Sequence, residues 1–277
     1  MKKVLFVLFL LVSPSLFAAQ YQATQGDVLT IHRELPDGEI TLSCFGKDWP
    51  VSREADGKVW AWVGVDLKTK AKNYPILWKS GSWQKTDELT VSKGTFRISH
   101  IKVDKKMAVF GKEELKRIRA DQKMLKDSYV AKVDASPFIH IIQLPTKGIE
   151  STPFGAQRYV NGEPRSPHSG IDIAAPEGSP VITPLAGKVL VVSGMYLNGN
   201  TVAIGHGHGV VSVFSHLKTA LVKEGDWIES GAQIGEVGMT GRATGPHLHW
   251  GIRFRQARIN PYSIMRLQNG SNKTTLE

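Results

Sequence analysis

His247-Leu248-His249 constrains this chain more than any other feature of its sequence. Residues two apart on a strand point to the same face, so a strand here aims both imidazoles into one site. Six of the nine histidines lie between 168 and 249, and His168-Ser169-Gly170-Ile171-Asp172 adds an imidazole and a carboxylate. Two histidines and one carboxylate are a typical catalytic zinc set with a position left open for water or substrate. Zinc-bound water has its pKa lowered toward about 7. His216, in Val213-Phe214-Ser215-His216-Leu217, is a further donor at the end of a strand. Imidazoles beyond those the metal needs can serve as general base or as donor to an oxyanion.

Taken singly, each histidine reads as an ordinary loop or core residue, and one HxH says little. HxxxD and HxH together, in a strand-rich segment with turn glycines beside both, point to a metal site. His206 and His208 sit in Gly205-His206-Gly207-His208-Gly209, which reads as a tight turn between strands, and no direct role is expected of them. That GxGxG has no βαβ unit around it, which argues against a dinucleotide site. HExxH, GxSxG, a Walker loop and CxxC are all absent, which argues against a helical zinc protease and an elbow-type serine hydrolase.

The chain opens with Met1-Lys2-Lys3, an apolar run from Val4 to Val12, and Ser13-Pro14-Ser15-Leu16-Phe17-Ala18-Ala19. A basic start, a short apolar stretch and a small-residue exit predict a secretory signal peptide over 1–19, cleaved after Ala18 or Ala19. The run is short for a membrane span, so no integral membrane segment is expected after cleavage. The competing reading is an uncleaved anchor. The formal charge is +10, and losing Lys2 and Lys3 leaves +8. An exported basic protein is drawn to an anionic polymer such as the wall or envelope surface. Nucleic acid is not expected as a partner, because no basic run is interleaved with aromatics. Cys44, the single cysteine, lies in an apolar stretch and reads as a packed thiol.

The chain of 277 residues has room for two modest domains. The fold class predicted is mainly β. Residues 20–104 read as short strands at Val28–Ile31, Glu39–Leu42, Lys58–Val63 and Glu88–Val91, separated by Pro36-Asp37-Gly38, Ala55-Asp56-Gly57 and Ser80-Gly81-Ser82. That spacing predicts an N-terminal Ig-like β-sandwich. A helical connector follows over 105–137, with a helix at Lys112–Ser128 that carries Leu115, Ile118 and Leu125 near one face. Strands return in 138–266, clearest at Thr201–Ile204, Val210–Phe214 and His249–Arg253, with no helix predicted. The polar tail 267–277 is expected to fray.

From Ser151 to Pro261, about 40% of the chain, the sequence resembles the lysostaphin/LytM-type zinc metallopeptidases, whose members include murein endopeptidases. The matching residues are Thr152-Pro153-Phe154-Gly155 with Arg158; His168 through Pro176; Gly187-Lys188-Val189; Gly199 through Val202; Ser215-His216-Leu217; and Gly238 through Trp250. The resemblance implies a LytM-type two-sheet β peptidase domain with Zn2+ held by His168, Asp172 and His249. His216 and His247 would then be the two catalytic histidines that do not bind the metal. It implies peptidoglycan stem peptides as substrate, cut by D,D-endopeptidase action with D,D-carboxypeptidase action as a second expectation, in the periplasm or cell envelope. Ser215 and Trp250 stand where alanine and phenylalanine are common in the family, and neither change touches the ligand set. Gln25-Gly26-Asp27-Val28-Leu29 and Val65-Asp66-Leu67 resemble the β domain that precedes the peptidase in one exported branch.

Arg158 and Arg242 are expected to bind substrate carboxylates, with a surface or structural role as the competing reading. The rival to catalysis is a latent or non-catalytic wall-binding activator, with the N-terminal domain covering the groove. The intact ligand and histidine set argues against loss of catalysis. Oligomeric state is not legible in the sequence.

Overall fold

The computed structural model describes residues 18–35, 37–54, 57–102, 110–134 and 143–267. The signal peptide up to residue 17, Pro36, Ala55-Asp56, the ends of the predicted connector and the tail beyond 267 lie outside the described residues.

The N-terminal part alternates apolar and polar residues and buries one side of each strand. Its strands are β1 (Gln20–Thr24), β2 (Val28–Glu34), β3 (Thr41–Cys44), β4 (Lys47–Trp49), β5 (Val51–Arg53), β6 (Lys58–Gly64), β7 (Lys72–Ser80) and β8 (Trp83–Ser92). They form a five-stranded sheet, β1-β8-β7-β3-β4, and a three-stranded sheet, β2-β6-β5. Val59, Ala61 and Val63 of one sheet and Leu42, Ile76, Trp78, Leu89 and Val91 of the other belong to one buried cluster. Strand β7 was not among those predicted, and Pro75 lies in its middle. Strand β3 reaches only Leu77–Lys79 of β7, so Pro75 stands where its missing N–H costs no ladder bond on that side. Cys44 is buried, and burial pushes its thiol up to about 12 against a weaker pull from the Phe45 backbone, which keeps it inert.

The remaining elements are β9 (Ile98–Ile101), α1 (Lys112–Ser128), β10 (Ile149–Thr152), β11 (Gln157–Val160), β12 (Glu163–Pro164), β13 (Ile171–Ala174), β14 (Pro180–Ile182), β15 (Gly187–Met195), β16 (Gly199–Gly205), β17 (Val210–Ala220), β18 (Trp227–Ile228), β19 (Gln233–Val237), β20 (His247–Phe254), β21 (Ala257–Ile259) and α2 (Pro261–Leu267). A ten-stranded sheet runs β10-β13-β20-β17-β16-β15-β18, with β14, β19 and β21 attached beside it. A small sheet, β12-β11-β9, flanks it.

Helix α1 has the predicted bounds. Leu125, with Tyr129 beyond it, packs on Val191, Met195, Ala203, Val211 and Val213, the outer face of β15–β17. Leu115 is exposed. At 3.6 residues per turn it lies about 60° around the helix from Ile118 and about 80° from Leu125, enough to leave the contact. Helix α2 corrects the all-β expectation for 138–266. Its signal was present: the Asn260 side chain accepts the Tyr262 N–H at 3.1 Å, and Pro261 follows at the first helical position.

The two halves share one apolar core, with Trp49 against Phe254 at 5.1 Å between ring centroids. Gln25–Leu29 and Val65–Leu67, the two N-terminal motifs of the sequence, meet at this junction. Asn260 N–H donates to the Gly26 carbonyl at 2.9 Å, and Val28 N–H donates to Ser263 Oγ at 2.8 Å. Asp66 takes the Arg258 guanidinium in two hydrogen bonds. Strand β9 also pairs in parallel with β11, so the N-terminal part is continuous with the strands beside the histidines.

His206, at the turn between β16 and β17, is buried with Nδ1 2.9 Å from the Ala186 carbonyl and Nε2 2.9 Å from Ser212 Oγ. Burial pushes its pKa down to about 4, against the bond to Ala186. The unfolded chain, with an ordinary value near 6.5, therefore binds this proton first as pH falls. Stability is full above about 6.5 and declines between about 6.5 and 4, by a total on the order of 3 kcal/mol from this group. Thermal midpoints should fall over that window, and His206→Gln should flatten the fall; an identical slope in the variant would contradict the assignment.

Candidate metal centre

Strand pairing brings the two halves of the constellation together. In the β13–β20 register Asp172 lies opposite His249, and β17 places Ser215 opposite His249 on the other side. His168 precedes β13. Gly170 between them has no alternative, because a Cβ there would lie 2.4 Å from the Trp250 carbonyl oxygen and 2.9 Å from the His249 ring. His168 and His249 reach the same carboxylate only because the backbone passes this close.

His168 Nε2 and His249 Nδ1 lie 2.9 Å and 2.8 Å from Asp172 Oδ1, and 2.9 Å from each other. The His168 Nδ1–H donates to the Pro153 carbonyl at 3.0 Å, which leaves a lone pair on Nε2 facing inward. Burial pushes Asp172 upward, but the His168 and His249 imidazoles beside it outweigh that and hold the carboxyl far below the ordinary range. Burial lowers His249, opposed by Asp172. Three inward-facing donors, two imidazole and one carboxylate, fit a divalent cation of zinc type in both chemistry and number.

His216 and His247 stand beside this trio, with ring centroids 4.7 Å apart and His216 6.3 Å from His249. His247 shares a face of β20 with His249, as the spacing predicts. His216 arrives by a β-bulge: Phe214 pairs with Val202 but Leu217 pairs with Asn200, so Ser215-His216 oppose a single residue of β16. His216 takes φ +64°, a left-handed conformation uncommon for a non-glycine residue, and its ring is re-aimed into the site. Its Nδ1–H donates to the Thr240 carbonyl at 2.9 Å, and the His247 Nδ1–H donates to the Gly245 carbonyl at 2.8 Å. Both rings therefore carry their free lone pair on Nε2. Burial pushes His216 down to about 4, against the bond to Thr240, so it is neutral near pH 7. Thr240 is held by Gly199 and Gly241, both at positive φ, whose backbones approach so closely that a Cβ on Gly241 would lie 2.3 Å from the Gly199 nitrogen.

Of the two arginines, Arg158 reaches inward and donates to Asp172 Oδ2 and to Thr152 Oγ1, each at 3.1 Å. Arg242 lies over the Phe110 ring at 5.9 Å, and partial burial with the nearby Arg165 and Arg158 lowers its pKa. The three guanidiniums make one positive field at the site. The carbonyls of Pro153, Thr240 and Gly245 were not identified from the sequence. They act through main-chain oxygens, which side-chain chemistry does not mark.

Residues 166–261 match Peptidase family M23. The chain carries an M23 peptidase domain. Over 114 residues this chain is 39% identical to the DD-carboxypeptidase/endopeptidase Mpg of Neisseria meningitidis serogroup B, covering 41% of this chain and 26% of that protein. Over 95 residues it is 41% identical to the peptidoglycan DD-endopeptidase ShyA of Vibrio cholerae, covering 34% of this chain and 22% of that protein. The match thus spans about a quarter of each curated relative's length. The crystal structure of an M23 peptidase candidate from Pseudomonas aeruginosa superimposes with a TM-score of 0.70 and 29% identity over 87% of this chain and 94% of that one. The likeness therefore extends beyond the M23 peptidase domain into the N-terminal sheets.

Asp172 is held from outside the trio by Arg158. Outer partners of this kind orient a metal ligand and typically contribute 10- to 100-fold in affinity. Arg158→Ala should weaken metal binding by about that factor. A competition titration against a chromophoric chelator reads it directly, and an unchanged affinity would leave Arg158 to the substrate alone.

Proposed function

We propose that the protein is an exported zinc endopeptidase that hydrolyses peptide cross-links of bacterial peptidoglycan by D,D-endopeptidase action, with D,D-carboxypeptidase action on the same stem peptides as the alternative cut. The observation that carries this reading is the convergence of His168 Nε2, His249 Nδ1 and Asp172 Oδ1 beside two further imidazoles with free Nε2 lone pairs. The names of the M23 relatives support the substrate class.

His168, Asp172 and His249 would hold a zinc ion, which would supply a Lewis acid and lower the pKa of a bound water toward about 7. Arg158 fixes the carboxylate, and the Pro153 carbonyl fixes the His168 tautomer. His216 is neutral and takes the proton of the attacking water at Nε2, with its Nδ1–H anchored on Thr240. His247 has the same anchoring on Gly245, and donates from Nε2 to the developing oxyanion once that nitrogen is protonated. Arg242 offers its guanidinium to a carboxylate of the stem peptide.

The reading is tested on defined cross-linked muropeptide dimers incubated with the mature protein and separated by mass. Monomers are expected, and their masses name the bond. Intact dimers together with bound metal would favour the non-catalytic activator.

A further inference from the structure

On the N-terminal five-stranded sheet, the first described residues meet a buried carboxylate. Asp87 on β8 is 1% exposed. Its Oδ2 accepts the Trp78 indole N–H at 2.9 Å. Its Oδ1 accepts the backbone N–H of Ala19 at 2.9 Å and lies 3.1 Å from the Arg33 guanidinium. Arg33 NH2 makes no hydrogen bond there, so the charge is neighbouring and the Ala19 nitrogen is the donor. The Ala19 carbonyl in turn accepts the Glu88 N–H at 3.0 Å, and from Gln20 onward β1 runs parallel to β8. Ala19 packs against the core while Ala18 is exposed.

We propose that the leader is cut between Ala18 and Ala19, and that the new α-ammonium of Ala19 docks on Asp87. The reaction is hydrolysis of one peptide bond by the exporting cell's leader peptidase. Water gives its hydroxyl to the Ala18 carbonyl carbon and a proton to the Ala19 nitrogen, and the amine takes a second proton from solvent near neutral pH. A neutral main-chain donor beside Asp87 becomes a cation with three N–H groups, and a charge-assisted bond is the stronger kind. Ala19 stays partly exposed, so the added charge keeps water on one side. Two adjacent alanines leave the cleavage bond open in the sequence, but the contacts do not. A cut after Ala19 would remove the donor to Asp87 Oδ1 and the acceptor of Glu88 N–H together. A cut after Ala18 keeps both.

The test expresses the full chain with its leader in an exporting bacterial host and reads the intact mass and N-terminal sequence of the envelope fraction. Ala19-Gln20-Tyr21 is expected at the terminus; a start at Gln20, or a retained leader, overturns the cleavage assignment. Docking is read separately, from thermal midpoints of the mature chain with a free or an acetylated Ala19 amine. Acetylation keeps the N–H donor and removes the charge, so the midpoint should drop on the order of 2–4 °C. The drop should vanish in Asp87→Asn. Equal midpoints in the wild-type pair overturn the docking, whether or not the Asp87 variant folds.

Discussion

Replacing His249 by alanine is expected to abolish metal binding and hydrolysis together. His249 Nδ1 and His168 Nε2 address the same oxygen of Asp172, so loss of one imidazole leaves two donors where a catalytic zinc takes three. Zinc content by elemental analysis should fall from about one per chain to background, and dimer cleavage with it. The side chain lies within a partly buried cluster, so His249→Gln, which keeps volume and polarity, serves as the folded control with the same expected loss. Full zinc content and activity in the glutamine variant would place the metal elsewhere.

Removing His216 should separate metal binding from rate. Its ring lies beside the trio, and Nδ1 is tied to Thr240. General acid–base partners typically contribute about 100- to 10,000-fold, so His216→Ala should lower kcat by that range with zinc content unchanged. That corresponds to about 3–5 kcal/mol of transition-state stabilisation. His247→Ala should fall in the same range, from the donor side. Because burial pushes His216 down to about 4, its neutral form is expected to persist near pH 6.5, and kcat/KM should not lose activity there on its account. Loss of zinc in His216→Ala would make it a ligand and not a proton carrier.

HxxxD and HxH were legible as a candidate metal site because that chemistry lies in side-chain type and spacing, whereas which of the donors form the trio came from the family resemblance alone. HxH needs only a strand, and β20 supplies one. His216 was found as a donor, but not the bulge that aims it, since φ +64° at a non-glycine residue has no sequence signal. Helix α1 was read correctly from its charges and apolar spacing. Strand β7 escaped the sequence reading; it carries Pro75, which the short reach of β3 makes tolerable. Helix α2 escaped because seven residues are too few to show a period, although its Asn260-Pro261 start was visible. The junction was least legible. Gly26 and Asp66 belong to motifs far in sequence from their partners Asn260 and Arg258, and only the fold brings each pair into contact.

The most direct test of the metal centre is anomalous X-ray scattering across the zinc edge from crystals of the mature protein. The expected result is one peak about 2.0–2.2 Å from His168 Nε2, His249 Nδ1 and Asp172 Oδ1. A peak bound by His216 and His247, or no peak in crystals of protein that cleaves muropeptide dimers, would contradict the assignment.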